Sequence, residues 1–199
     1  MYELSQSQCF VYFAYGSNMS TRRLRQRTPS AKPLGIGKLP EHQLVLHKIG
    51  RDGSAKCDIL KTGQAHDIVW GVLFEISTNE GHLLDRAEGL GCGYEYKTVQ
   101  VKSDESVITA GAYYATHIDA SLRPFDWYLN FVLKGAEEHG LPSSYLNSLK
   151  SWSMVIDPDS ERRKRNLSLL KDDISVKKHF QKIRNSANSK IRKSENTEI

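Results

Sequence analysis

The run Tyr12-Phe13-Ala14-Tyr15-Gly16-Ser17-Asn18 changes character half-way along. Residues 10–15 are aromatic, β-branched or small, which suits a buried strand. Gly16 breaks it. Gly, Ser and Asn tolerate unusual backbone angles or hydrogen-bond their own backbone. Residues 20–27 then read as a helix. A strand passing through a tight turn into a helix N-terminus aims several N–H groups at one spot, a nest for an anionic or partly negative oxygen. The same pattern serves equally as a plain connection between two elements.

Outward from this run, strand signals dominate. Residues 42–49 alternate loosely, 50–54 form a turn cluster, and 56–61 and 68–76 read as further strands. Ile68-Val69-Trp70-Gly71-Val72-Leu73-Phe74 is apolar nearly throughout, which predicts a central, buried strand. Ser77-Thr78-Asn79-Glu80 fits a capping box, with the Ser and Glu side chains satisfying each other's N–H groups. It predicts a short helix with Leu83, Leu84 and Ala87 on its apolar side and a stop at Gly89. Residues 94–102 and 107–115 predict a hairpin with a slightly long loop. Pro124 opens the best helix, in which Phe125, Tyr128, Leu129, Val132 and Ala136 recur on one face and Gly140-Leu141-Pro142 closes it. A last short helix spans 144–151. Strands with a few inserted helices predict an α+β fold with a mixed sheet or barrel, not a doubly wound parallel sheet.

The net charge of +5 lies wholly in the last 43 residues, which hold twelve Lys/Arg and seven Asp/Glu. The basic isoelectric point therefore describes that stretch and not the body. The expected organisation is one domain over 1–156 and a basic, partly helical or disordered extension over 157–199. Leu167, Leu170 and Ile174, then Val176, Phe180 and Ile183, fall at helical spacing; beyond Asn185 polar residues take over. Asp172, Asp173, Glu195 and Glu198 lie among the basic residues, which argues against a nucleic-acid-binding arm. Cys9, Cys57 and Cys92 make no Cys-x-x-Cys pair, which argues against a disulfide framework or zinc ribbon and fits a reducing compartment. With no signal-peptide pattern and no long apolar run, a cytoplasmic protein without a membrane partner is expected.

Glu88 is the leading candidate for chemistry. In Leu84-Asp85-Arg86-Ala87-Glu88-Gly89 it falls one turn beyond Leu84, beside the apolar face of its helix. A carboxylate in an apolar setting trades protons near neutrality. Other constellations fail. The histidines show no metal-ligand spacing, so no metal is expected. Ser17 lacks the hydrolase elbow, and Gly35-x-Gly37 lacks the third glycine of a dinucleotide fingerprint. Cys92, between Gly91 and Gly93, is a minor candidate as a reactive thiol.

The string Tyr12–Asn18 resembles the substrate loop of the gamma-glutamylcyclotransferases. Leu84, Asp85, Glu88, Gly89, Gly93 and Tyr94 follow the order in which that family carries its catalytic Glu, with a Glu-to-Tyr spacing one residue shorter than in some members. Trp127-Tyr128, the Gly135-to-Pro142 run and Tyr145 are similar to its long helix and Gly-Leu-Pro exit. The resemblance covers about residues 10–150. It implies a largely antiparallel sheet closing toward a small barrel with a few packed helices. It also implies cyclisation of a γ-glutamyl compound to 5-oxoproline with release of the amine. Glu88 is implied as the catalytic residue, and Tyr12, Phe13, Ala14, Tyr15, Gly16, Ser17, Asn18, Tyr94, Tyr113 and Tyr128 as substrate-binding residues. No cofactor is implied, the partner is a small-molecule γ-glutamyl substrate, and a homodimer stays open. Glutathione, γ-glutamylamines, or ligand binding without turnover remain alternatives at this level.

Overall fold

A computed structural model describes residues 8–104 and 106–170. In chain order the strands are β1 (Cys9–Ala14), β2 (Lys32–Pro40), β3 (His42–Ile49), β4 (Ala55–Lys61), β5 (Ile68–Ser77), β6 (Tyr94–Ser103) and β7 (Ser106–Ala115). The helices are α1 (Thr21–Arg25), α2 (Gly81–Glu88), α3 (Asp126–Glu138) and α4 (Ser143–Lys150). Five strands form a closed barrel in the order β1-β5-β2-β6-β7, while β3 and β4 pair only with each other. The barrel pairings are antiparallel except the closing one, where β1 meets β7 in parallel through Tyr12 and Gly111. This is the α+β barrel expected from the element order.

β5 is the central strand foreseen from its apolar run, pairing β1 on one edge and β2 on the other. Phe13, Leu73, Phe74 and Ile76 are fully buried on the strands, as are Leu84, Leu129, Phe131 and Leu149 on the helices. Each such side chain stabilises the fold by about 1.5–3 kcal/mol relative to exposure. β2 is a strand the sequence conceals, because Pro33, Gly35, Gly37 and Pro40 read as turn residues. Its register shifts between Pro33 and Gly35, and Gly37 is needed for packing: a Cβ there would stand 2.4 Å from Val101 Cγ1.

The start of α2 departs from expectation. A 3-10 turn, Thr78–Glu80, precedes the helix, and Ser77 makes no side-chain cap. Glu80 Oε2 instead accepts bonds from the Ser30 N–H and hydroxyl, at 3.0 and 2.6 Å. The capping-box pair is thus spent on a tertiary contact, which overrides the local signal. The end is as read: Gly89 takes the left-handed conformation, φ 75°. The β6–β7 loop is shorter than expected, since Ser103 already pairs with Ser106.

The helix α3 fixes the Gly16–Ser20 turn. A Cβ on Gly135 would lie 2.4 Å from Ser20 N and 2.5 Å from the Met19 carbonyl carbon, so the helix and the turn touch backbone to backbone. Further along, Thr21 Oγ1 and His139 Nε2 hydrogen-bond at 3.0 Å. The β3–β4 hairpin is sewn to the end of β7 and the segment after it. Asp58 accepts the Ala115 N–H at 2.7 Å, and the Ile49 and Ala55 N–H groups donate to the His117 and Arg123 carbonyls.

The chain divides into two units, the first ending at Pro158 and the second beginning at Asp159. Asp157, counted with the extension on charge alone, is 2 % exposed and accepts the Trp127 indole N–H at 2.7 Å, inside the first unit. In the second unit, residues 160–170 are helical and carry Leu167 and Leu170. The readings at Ile174, Val176, Phe180, Ile183 and beyond Asn185 lie outside the described residues. Among the described residues no helix is long and apolar enough to cross a membrane.

Gly135→Ala is expected to lower stability by about 1–3 kcal/mol, the usual cost of forcing atoms into a filled contact. Urea or thermal unfolding measures it, and an unchanged midpoint would show that α3 does not press on the turn.

Candidate active site

A cavity of about 210 Å³ opens where the Gly16 turn, the end of α2 and the β3–β4 hairpin converge. It collects nearly all the residues singled out in the sequence: Tyr12, Tyr15, Gly16, Ser17 and Asn18 from one side, Glu88 from α2, and Tyr94, Tyr113 and Tyr128. Two expected residues do not border it. Phe13 and Ala14 are fully buried in the core. Successive strand side chains point to opposite faces, so Phe13 turns away from Tyr12, and Ala14 ends at a methyl.

Glu88 is not in the apolar setting foreseen for it. Its Oε1 accepts bonds from Asn18 Nδ2 at 2.5 Å and from Arg27 at 3.1 Å, and the side chain is 14 % exposed. Arg27 also donates to Asn18 Oδ1 at 2.8 Å, and Asn18 Nδ2 donates to the Tyr12 hydroxyl at 3.1 Å. Asn18 is thus used on both its donor and acceptor sides. Glu88 Oε2 has no hydrogen bond with any described residue, leaving one carboxylate oxygen for a ligand.

The tyrosines differ in what their hydroxyls do. Tyr15 donates to the Tyr113 carbonyl, Tyr94 to the Cys57 carbonyl, and Tyr113 to Asp85 Oδ1 at 2.7 Å. Tyr128 and Tyr12 accept instead, from the Cys57 N–H at 2.9 Å and from Asn18. Burial raises the pKa of all five phenols, which keeps them neutral.

Sequence reasoning missed the cations. Arg23 and Arg27 come from α1 and the turn after it; Lys48, Arg51 and Lys56 come from the hairpin. In sequence they look like solvated charges, and nothing local shows that the hairpin folds over the cavity. Arg23 lies 4.4 Å from the Phe131 ring centroid and 5.5 Å from that of Trp127, and its Nε donates to Ser17 Oγ at 3.2 Å. Burial lowers its pKa to about 10. Lys56 is ion-paired with Asp52 at 2.8 Å and rests 4.7 Å from the Tyr128 ring centroid. Burial brings its pKa down to about 8, against the opposing pull of Asp52. Among the described residues no three His, Cys, Asp or Glu side chains gather in a metal-holding cluster.

Residues 68–149 match the AIG2-like family. A bovine gamma-glutamylcyclotransferase is 32 % identical over 165 residues, spanning 79 % of this chain and 84 % of the relative. The chain belongs to the gamma-glutamylcyclotransferase family. A human gamma-glutamylcyclotransferase is 31 % identical over 153 residues, 72 % of this chain and 79 % of that one. A solved gamma-glutamyl cyclotransferase matches with a TM-score of 0.69 at 29 % identity, covering 74 % of this chain and 89 % of its own. Another solved structure, an uncharacterized human protein, matches with a TM-score of 0.70 at 29 % identity, covering 75 % of this chain and 90 % of its own. In this family member, then, Glu88 meets Tyr12, Tyr15, Gly16, Ser17 and Asn18 in one cavity.

The thiols separate by environment. Burial pushes the Cys57 pKa up to about 12, while Cys92 is exposed. Iodoacetamide at about pH 8 is expected to modify Cys92 and to spare Cys57 until the chain unfolds, since the thiolate is the reactive form. Peptide mass spectrometry reads both sites, and early modification of Cys57 would contradict its placement.

Proposed function

We propose that the chain is a gamma-glutamylcyclotransferase, closing a γ-glutamyl amino acid or peptide to 5-oxoproline and releasing the amine. Family membership supports the reaction class. The observation that carries the assignment of roles is the contact of Glu88 with Asn18 of the turn. It sets a proton-carrying group and a set of outward N–H groups around one small cavity.

In this reaction the substrate's own α-amine attacks its γ-carbonyl. A bond forms between the amino nitrogen and the γ-carbon, the γ-carbon's bond to the departing nitrogen breaks, and one proton moves from the first nitrogen to the second. Holding the glutamyl chain folded so that amine and carbonyl meet lowers such a barrier by roughly 7–11 kcal/mol. Glu88 Oε2 takes the proton and returns it to the departing nitrogen, while Oε1 stays fixed by Asn18 and Arg27. A carboxylate in that dual role typically contributes about 10²–10⁴-fold. The 3-10 turn Ser17–Met19 leaves the N–H groups at its start outside its own hydrogen bonds. They serve the glutamyl carboxylate or the carbonyl oxygen as negative charge builds on it. The Tyr12 hydroxyl accepts from Asn18 and keeps its proton for a substrate oxygen. Tyr15, Tyr94, Tyr113 and Tyr128 shape the wall. On this reading the chain acts in γ-glutamyl peptide and glutathione metabolism, and a cytoplasmic location is part of the proposal.

Glu88→Gln is expected to keep the fold, because the amide oxygen still accepts from Asn18 and Arg27, and to cut kcat by about 10²–10⁴-fold. The assay measures 5-oxoproline from γ-glutamyl dipeptides, glutathione and γ-glutamyl-lysine. Wild-type rates in the variant would sink the assignment, and tight binding without turnover by the natural chain would mark a ligand-binding module.

A pH dependence follows from Lys56. Its folded pKa lies near 8, below the usual lysine value, with Asp52 pulling it up and Arg23 and Lys48 pulling it down. The ammonium is therefore present below about pH 8 and lost above it, taking one positive charge from the wall. KM for an anionic γ-glutamyl substrate is expected to rise between about pH 7 and about 9. Lys56→Met should raise KM at the lower pH and remove that step; a step of equal size in the variant would rule Lys56 out as its source.

A further inference from the structure

The five cations around the cavity are not equivalent. Arg27 is bonded to Glu88 and Asn18, Lys56 to Asp52, and Arg23 is packed on rings and bonded to Ser17. Lys48 and Arg51 stand apart from these. Lys48 is only 5 % exposed, yet its ammonium makes no hydrogen bond or ion pair with any described residue. It lies against the face of Tyr94, 4.8 Å from the ring centroid. The Arg51 guanidinium, on the hairpin turn, also has no hydrogen-bonding or ion-pair partner among the described residues.

Both line the cavity beside the residues that follow Glu88 in the chain. A Cβ on Gly89, the residue after Glu88, would come 3.3 Å from the Arg51 guanidinium, and one on Gly93 would come 3.2 Å from Lys48 Nζ. The two glycines thus leave the room that the cations occupy. The Gly16–Asn18 turn meets Glu88 through Asn18. A cyclotransferase holds the glutamyl moiety on one side of the proton carrier and the departing amine on the other. Two neighbouring cations at one cavity repel each other, and an arriving anion relieves that repulsion. Burial depresses the Lys48 pKa; Glu88, Asp52 and Cys92 oppose that shift, and the neighbouring Arg51 adds to it.

We propose that Lys48 and Arg51 receive the departing amine and select an acidic amino acid, whose two carboxylates meet the two cations. The inference rests on the cyclotransferase reading above and names the substrate class within it: γ-glutamyl compounds of glutamate or aspartate, over neutral γ-glutamyl amino acids and over γ-glutamylamines without a carboxylate.

The test uses the purified full chain and initial rates of 5-oxoproline release from γ-glutamyl-glutamate, γ-glutamyl-glutamine and γ-glutamyl-propylamide. The first two have nearly the same shape and differ in one charge. kcat/KM is expected to fall by about tenfold or more from the first to the second, and again to the third. In Lys48→Met and in Arg51→Gln, the glutamate-to-glutamine ratio is expected to drop to about threefold or less. Arg51 is exposed on a turn, so its variant tests the idea even where the strand variant folds poorly. Equal kcat/KM for the glutamate and glutamine compounds in the natural chain would overturn the inference and leave the cyclotransferase reading standing. No 5-oxoproline from any compound would overturn that reading and the inference with it. A full ratio retained in both folded variants would overturn the assignment to these two residues.

Discussion

One carboxylate oxygen shared by two donors joins the parts of this molecule that matter. Glu88 Oε1 meets Asn18 from the turn after β1 and Arg27 from the segment after α1, and Arg27 also holds Asn18. The three side chains form a closed ring of hydrogen bonds that a mostly buried carboxylate requires, since an unpaired charge there is expensive. The ring sets the distance between α2 and the turn, and with it the width of the cavity. α3 supports it from behind, pressing Gly135 against Met19 and Ser20.

Much of this is legible in the chain. The apolar run of β5, the face of α3 and the glycine stop of α2 carry their structure locally, because burial and backbone conformation dictate those residue types. β2 does not. Its glycines and prolines look like a loop until Val101 is seen filling the space beside Gly37. Ser77 and Glu80 mislead for a related reason: the Glu80 side chain answers to Ser30, and the Ser77 hydroxyl to the Gln8 carbonyl, rather than to their own helix. Local rules fail where a distant partner offers a better bond.

The site divides along the same line. A motif brings Glu88 and the Tyr12–Asn18 run to notice because residues of both cluster in short strings. Alternation along the strand then explains why Phe13 is not among the lining residues. The cations of the hairpin could not be found this way. Lys48 and Lys56 sit in strands whose pairing is local, and their approach to Glu88 depends on how the hairpin is anchored by Asp58, Ile49 and Ala55 to the end of β7 and the segment after it. The pocket's chemistry thus has two parts: a hydrogen-bonded carboxylate, and cations supplied by α1, the turn after it and the hairpin.

The independence of the β3–β4 pair from the barrel has a consequence for the cavity. Its strand ladder is closed on itself, so exchanging hairpin residues other than Asp58, whose side chain holds the Ala115 N–H of β7, leaves the strand pairing of the barrel in place. The proton-carrying Glu88 and the cations Lys48, Arg51 and Lys56 therefore lie on different pieces of chain. A chain of this architecture can change the charges lining its cavity within one hairpin while the barrel pairing and the carboxylate on α2 stay as they are.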